Sequence, residues 1–191
     1  VHDDGLHLND ADTSRIRDLR FMLSQMADCV HVHSEAAKAL VIRDFGVEAE
    51  RTIVVRHPSY APLYSASEAG IAAIDLARPR RLLCFGHIKP YKDYQGLGAA
   101  LDALGPGSFE ALTIAGKLSG NVMLPEETYR RNLDFELTLG FIPNEAVPTL
   151  FSTAHFLILP YIESLTSGAA ALAMGFGVPV IAPSIGGMRE A

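Results

Sequence analysis

The 191-residue sequence has no tryptophan and only two cysteines, and its 16 lysines and arginines are outnumbered by 22 aspartates and glutamates. Each shortage excludes something. Cys29 and Cys84 are too far apart in sequence for a Cys-x-x-Cys metal knuckle and too few for a disulfide framework. Both sit inside apolar stretches, so they are expected to be buried, reduced thiols of a cytoplasmic protein. A formal charge of −6 excludes broad, non-specific nucleic-acid binding, which needs a cationic excess to neutralise phosphates, but leaves room for a small local cationic site. The apolar run Gly168 to Pro183 is broken by Gly175, Gly177 and Pro179 and falls short of the ~20 apolar residues that cross a bilayer. There is no internal repeat or low-complexity tract. No Gly-x-Gly-x-x-Gly opens a helix, which argues against a dinucleotide dehydrogenase. The chain opens Val1-His2-Asp3-Asp4, without an initiator methionine or a basic, apolar leader, and closes on what reads as a helix only just starting after Gly186-Gly187. The expectation is an excerpt of a longer protein.

What is present is 49% apolar and 20% charged, the composition of an ordered globular chain long enough for one generous domain or one domain plus part of another. Apolar residues at helical spacing, Ile16, Leu19, Met22, Leu23 and Met26, predict an amphipathic helix over Ala11 to Met26. A strand over Asp28–His33 follows, then a helix over Glu35–Phe45 with Ser34 as its cap and Gly46 just past its end, then a β-branched strand over Thr52–Arg56. The segment 58–79, rich in proline, serine and alanine, is the expected linker.

From Arg80 the alternation is regular. Strands are expected at Leu82–Phe85, Ala111–Ala115, Phe135–Leu139, Phe156–Leu159 and Val178–Ala182. The helices between them are expected at Tyr94–Ala103, Pro125–Asn132, Glu145–Ser152 and Ser167–Phe176. Strands such as Phe156-Leu157-Ile158-Leu159 are apolar throughout, as in a parallel sheet covered on both faces, so the fold class is α/β with a doubly wound, Rossmann-like parallel sheet. In such sheets ligands bind beyond the carboxyl ends of the strands.

Three strand ends are therefore informative. Gly86-His87-Ile88-Lys89-Pro90-Tyr91-Lys92 combines a permissive glycine with two lysines and a histidine before a helix, which suits a phosphate or a solvated surface loop equally. Lys92 is expected to be exposed. After Phe156–Leu159, the run Glu163-Ser164-Leu165-Thr166-Ser167-Gly168 places an acceptor-only carboxylate and N–H-rich turns ahead of a helix of small residues. Glu163 suits sugar hydroxyls, but taken alone it reads more readily as a helix-capping carboxylate. Gly186-Gly187 is a tight turn or a place of close ligand approach.

Taken in order, Gly86–Lys92, Ile114-Ala115-Gly116, Gly140–Glu145, Leu159–Glu163 with Ser167-Gly168, Gly177–Ala182 and Gly186-Gly187 resemble the carboxy-terminal donor-binding domain of GT-B glycosyltransferases. The match is to the retaining, glycogen-synthase-like family 4, or group 1. It implies that residues 1–57 are the end of an amino-terminal, acceptor-side domain and 80–191 the nucleotide-sugar-binding domain. It implies sugar transfer from a nucleotide sugar to a glycan, lipid or small-molecule acceptor in glycan or polysaccharide synthesis. No cofactor or metal is implied, and peripheral membrane association would come through the missing domain. Lys92 and Glu163 are then the catalytic residues, with Gly86, His87, Leu165, Thr166, Ser167 and Gly168 around the donor. Two positions depart from the pattern: His87 replaces the usual arginine, and Leu172 stands where a second glutamate usually grips the ribose. Leu172 keeps open a degenerate, non-catalytic binding protein; a sugar-nucleotide epimerase on the same architecture is the other alternative.

His31 and His33 share one strand face but lack a recognisable third metal ligand, so a structural role is expected, and His2, Asp3, Asp4 and His7 read as a polar leader.

Overall fold

The computed structural model describes residues 13–60, 62 and 80–190. The His2–His7 leader and most of the expected linker lie outside the described residues. The chain divides into two units, one formed by Val1–Pro58, Ile162–Ser167 and Ser184–Ala191, the other by Ser59–Tyr161 and Gly168–Pro183.

The larger unit is built on the strands β3 (Arg81–Phe85), β4 (Ala111–Gly116), β5 (Asp134–Leu139), β6 (Phe156–Ile158) and β7 (Val180–Ile181). They form one parallel sheet in the order β5-β4-β3-β6-β7. The chain enters at the central strand, steps outward through β4 to β5, then crosses back to lay β6 on the other side of β3. That reversal makes the β3/β6 boundary the topological switch point. Alternation along β3 sorts its side chains onto two faces. Leu82 and Cys84 join Leu112 and Ile114 in a cluster with Tyr94 and Leu101 of α3 (Tyr94–Leu104) and Tyr129 of α4 (Glu126–Asn132). On the opposite face Phe85 meets Phe151 of α5 (Val147–Thr153) at a ring separation of 5.2 Å, and Phe151 stacks on Phe176 at 5.1 Å. Both faces are thus covered, as the all-apolar strands require, and each fully buried Leu or Ile contributes ~1.5–3 kcal/mol. Inside the first face the Tyr129 hydroxyl donates to the Tyr94 carbonyl at 2.7 Å, so the buried phenol keeps a partner.

The smaller unit pairs β1 (Val30–Val32) in parallel with β2 (Thr52–Val54), packed against α2 (Glu35–Phe45). Its core is Val30, Val32, Ala37, Val41, Phe45 and Val47, with Leu165 packed against it. Ser34 Oγ accepts the Ala37 N–H, and Gly46, at φ 65°, closes α2 by donating its N–H to the Ile42 carbonyl. Both caps are where the sequence places them.

Several elements differ in length from expectation: β3, β4, β5 and α3 each run one residue longer, and others are shorter. β1, β2 and β7 are trimmed to two or three residues, α6 runs Gly168–Gly175, and the expected helix from Glu145 is a 3-10 turn, Asn144–Ala146, followed by α5. The residues after Ile185 form a 3-10 turn, Gly186–Arg189. One expectation is corrected. Cys29 is exposed, because it lies in the connection between α1 (Thr13–Met26) and β1 rather than on a buried strand face. The apolar stripe of α1 is not buried among the described residues: Leu19, Met22, Leu23 and Met26 are all exposed.

Candidate functional site

β3 ends in a turn at Gly86, whose φ of 95° is costly for any residue with a Cβ. Hydrogen bonds pin this turn to β4 and its exit. The Gly86 N–H donates to the Ala115 carbonyl at 3.0 Å, the Ile88 N–H to the Lys117 carbonyl at 2.9 Å, and the Ser119 N–H to the Ile88 carbonyl at 2.9 Å. The Gly116 backbone comes so near that a Cβ there would stand 1.9 Å from the Gly86 carbonyl oxygen. Two strand ends are thereby held as one backbone surface. Ile88 anchors it in the core, while His87 is exposed beside it.

Lys92 closes the turn and departs from expectation. Its backbone pairs with Tyr161, just beyond β6, in an antiparallel bridge, and the next N–H, that of Asp93, donates to the Pro160 carbonyl. Asp93 then caps α3 by accepting the Gly96 N–H at 2.7 Å. The bridge spans the switch point and draws the Lys92 side chain over the end of β3, leaving it only 5% exposed. There Nζ donates to the Phe85 carbonyl at 3.3 Å and lies 5.7 Å from the centre of the Tyr161 ring, within cation–π range. Burial disfavours the ammonium and pulls Lys92 down to about 8; Cys84 opposes the shift and Lys89 adds to it. Cys84 is a poor counter-charge, since burial pushes its thiol up to about 12. An ammonium so weakly compensated, at the point where ligands meet such sheets, gains from an incoming anion.

The second stretch, 162–168, divides between the units after Ser167. Glu163 and Thr166 are half-buried, whereas Ser164 and Ser167 are buried. Ser164 Oγ donates to the Thr166 carbonyl at 2.9 Å, and the Leu165 carbonyl accepts Ser34 Oγ at 3.1 Å. Gly168 opens α6, in which Ala170, Ala171, Leu172 and Ala173 are all buried. Leu172 is a core side chain, 4% exposed. The structure therefore brings Gly86, His87 and Lys92 together at the end of β3, and gathers Glu163, Leu165, Thr166 and Ser167 in the smaller unit. Tyr161 is missed by sequence reasoning, as nothing in its local pattern marks it as the lysine's neighbour.

Among the described residues no group of three His, Cys, Asp or Glu side chains could hold a metal ion. His31 and His33 both hydrogen-bond the Val55 carbonyl, at 3.1 and 2.9 Å. A carbonyl only accepts, so each imidazole donates through the nitrogen it presents.

Against known proteins, residues 79–191 match the family described as Glycosyl transferases group 1. The chain belongs to this family. Among its relatives, GDP-mannose:glycolipid 4-beta-D-mannosyltransferase of Xanthomonas campestris pv. campestris is 26% identical over 138 residues, 69% of this chain and 37% of that protein. The 2-deoxystreptamine N-acetyl-D-glucosaminyltransferase of Streptomyces fradiae is 26% identical over 105 residues, 54% of this chain and 25% of that protein. Among solved structures, HepE of Anabaena in complex with UDP and glucose matches with a TM-score of 0.66 at 19% identity, covering 93% of this chain and 50% of that one. That likeness is one of fold, and with the parallel sheet it identifies the Rossmann-like architecture of the GT-B glycosyltransferases. The group 1 chain spans half of HepE and a smaller share of both curated relatives.

Proposed function

We propose that this chain carries the donor site of a glycosyltransferase that moves a sugar from a nucleoside diphosphate to an acceptor held by a part of the protein outside this sequence. The observation that carries the proposal is the burial of the Lys92 ammonium at the β3/β6 switch point, against a backbone carbonyl and a ring face. Lys92 pairs with the diphosphate, and Gly86 lets the backbone approach it, with the exposed His87 as a further donor. Glu163 accepts from sugar hydroxyls, and the backbone of 165–168 serves phosphate and sugar oxygens. As the bond from the anomeric carbon to the diphosphate oxygen breaks, negative charge collects on the leaving group and is stabilised electrostatically by the lysine. Retention of configuration, and a role in glycan or polysaccharide synthesis, belong to the proposal through the likeness to family 4. A reducing cytoplasm suits the free, exposed thiol of Cys29.

Burial of Leu172 favours a second reading. With a leucine in the core at this place, ribose is not gripped by a carboxylate from α6, which is compatible with a protein that binds sugar nucleotides without transferring them. Calorimetry of the chain with UDP, GDP and ADP, alongside Lys92→Met, tests the site itself. Binding of one of the three that weakens at least tenfold in the variant supports it, and binding of none refutes it. Donor hydrolysis by the longest natural polypeptide then separates transferase from binding protein.

A further inference from the structure

In the smaller unit three distant stretches of chain meet at the first turn of α2. Ser34 is 1% exposed and its hydroxyl has two partners: it accepts the Ala37 N–H at 3.1 Å and donates to the Leu165 carbonyl at 3.1 Å. A hydroxyl has one proton to give, and this one is committed to residue 165. The two preceding N–H groups of the helix are taken from the far end of the sequence. Glu190 Oε2 accepts from Glu35 N–H at 2.8 Å and Oε1 from Ala36 N–H at 3.1 Å. Those backbone hydrogen bonds hold the Glu190 carboxyl below its usual range.

The stretch that Glu190 anchors lies directly against the same carbonyls. A Cβ on Gly187 would stand 1.8 Å from the Leu165 oxygen and 2.6 Å from Ser34 Oγ, and one on Gly186 would stand 2.0 Å from the Ser164 oxygen. The peptide planes of 164 and 165 are therefore confined between the Ser34 hydroxyl and the Gly186-Gly187 backbone, and Leu165 is further packed on the core of the unit. A trans peptide is planar, with its carbonyl and the following N–H pointing in opposite directions. Fixing the Leu165 carbonyl on Ser34 thus also fixes the heading of the Thr166 N–H.

We infer that Ser34 and Glu190 are positioning residues, which brace residues 164–166 through the Ser34–Leu165 hydrogen bond and the Gly186-Gly187 contact and so set the backbone presented to the donor. The inference rests on the donor-site reading above. A cap and a tight turn alone would hold α2 just as well without engaging residue 165. The brace differs from them by tying the helix start, the donor stretch and the glycine pair into one arrangement.

The test measures affinity for UDP, GDP and ADP, and for the sugar nucleotide that supports hydrolysis, on the longest natural polypeptide and its variants well below their melting temperatures. Ser34→Ala removes the hydroxyl's donor, and about a tenfold loss in affinity is expected, the equivalent of one hydrogen bond to a rigid site. Ser34→Thr, which keeps both hydrogen bonds, should restore affinity. Glu190→Gln, on a half-buried side chain that leaves the core untouched, should show a smaller loss in the same direction and serves if Ser34→Ala does not fold. A role confined to folding would lower the melting temperature of Ser34→Ala and Glu190→Gln and leave nucleotide affinity at the unaltered value, which overturns the brace. If Lys92→Met alone weakens binding, the donor site stands and the brace falls. Absence of nucleotide binding by the unaltered protein overturns the donor site and the brace with it.

Discussion

A nucleoside diphosphate should bind this protein about tenfold more weakly at pH 9 than at pH 7 because of one buried lysine. Burial holds Lys92 at about 8. The fraction carrying a charge is then about nine-tenths at pH 7, half at pH 8 and about a tenth at pH 9. If the ammonium form alone receives the diphosphate, the dissociation constant rises in inverse proportion, about twofold at pH 8 and about tenfold at pH 9. The diphosphate adds no slope of its own, since its terminal phosphate has lost its second proton above a pKa of about 6. Cys84, held near 12, and Tyr94 and Tyr129, which burial raises, add none either. Folding carries the opposite sign. A lysine depressed in the folded state penalises folding fully below pH 8, and the penalty shrinks as pH rises toward the unfolded value of 10.5. Between pH 8 and 9 the Lys92 contribution to stability should thus improve by about 1 kcal/mol. From about pH 8 the buried Cys84 thiol pulls the other way, because the unfolded thiol, at 9.0, ionises first, so the Lys92 trend over the window pH 8 to 9 is read as the difference between wild type and Lys92→Met, in which the thiol's contribution is shared. Calorimetric affinity and denaturant unfolding of the wild type and Lys92→Met, compared across that window, check both trends. An affinity that is flat from pH 7 to 9, or that falls as steeply in Lys92→Met, would refute the reasoning.

Gly116→Ala should destabilise the larger unit by several kcal/mol and abolish nucleotide binding, because its Cβ would stand 1.9 Å from the Gly86 oxygen; thermal unfolding and calorimetry read both effects. Leu172→Glu should lower stability by about 3 kcal/mol or more without tightening nucleotide binding, as it places an unpaired carboxylate in a core position; a gain in affinity would contradict the burial of that residue. Glu163→Ala should weaken a sugar nucleotide about tenfold and leave the bare nucleoside diphosphate nearly unchanged, and equal losses for the two would remove Glu163 from the sugar site.

The order of strands and helices is legible in the sequence because the apolar runs from Leu82 to Ile181 are short, uninterrupted and separated by amphipathic stretches, a pattern that a parallel sheet covered on both faces demands. Ser34 and Gly46 are legible for a local reason, since a cap acts within one helical turn of its own position. Lys92 is misjudged because burial is not local: a lysine next to a glycine turn looks solvent-facing until Tyr161, 69 positions later, pairs with its backbone. Cys29 is misjudged for the converse reason, its apolar neighbours belonging to a strand that starts one residue later. The hydrogen bonds of Glu190 to Glu35 and Ala36 span more than 150 positions, and no periodicity or spacing signals them.

On the proposed function, the burial of Lys92 bears on rate as well as affinity. An exposed lysine is already solvated, so a nearby diphosphate exchanges one stabilised environment for another and the gain is small. Here the ammonium has left water for a carbonyl and a ring, and it is held by a backbone bridge before any ligand arrives. Its attraction to the phosphate grows with the charge on the leaving group, and that charge is greatest as the sugar departs. The interaction is therefore stronger in the transition state than with the intact donor, which is the condition for binding energy to accelerate the chemical step. Removing one such preorganised donor typically costs ~10²–10³ in turnover. Lys92→Met should accordingly lower kcat by more than it raises the donor KM in the longest natural polypeptide. A variant whose KM alone rises, with kcat unchanged, would mean that Lys92 grips the donor equally in ground and transition states and has no part in stabilising the leaving group.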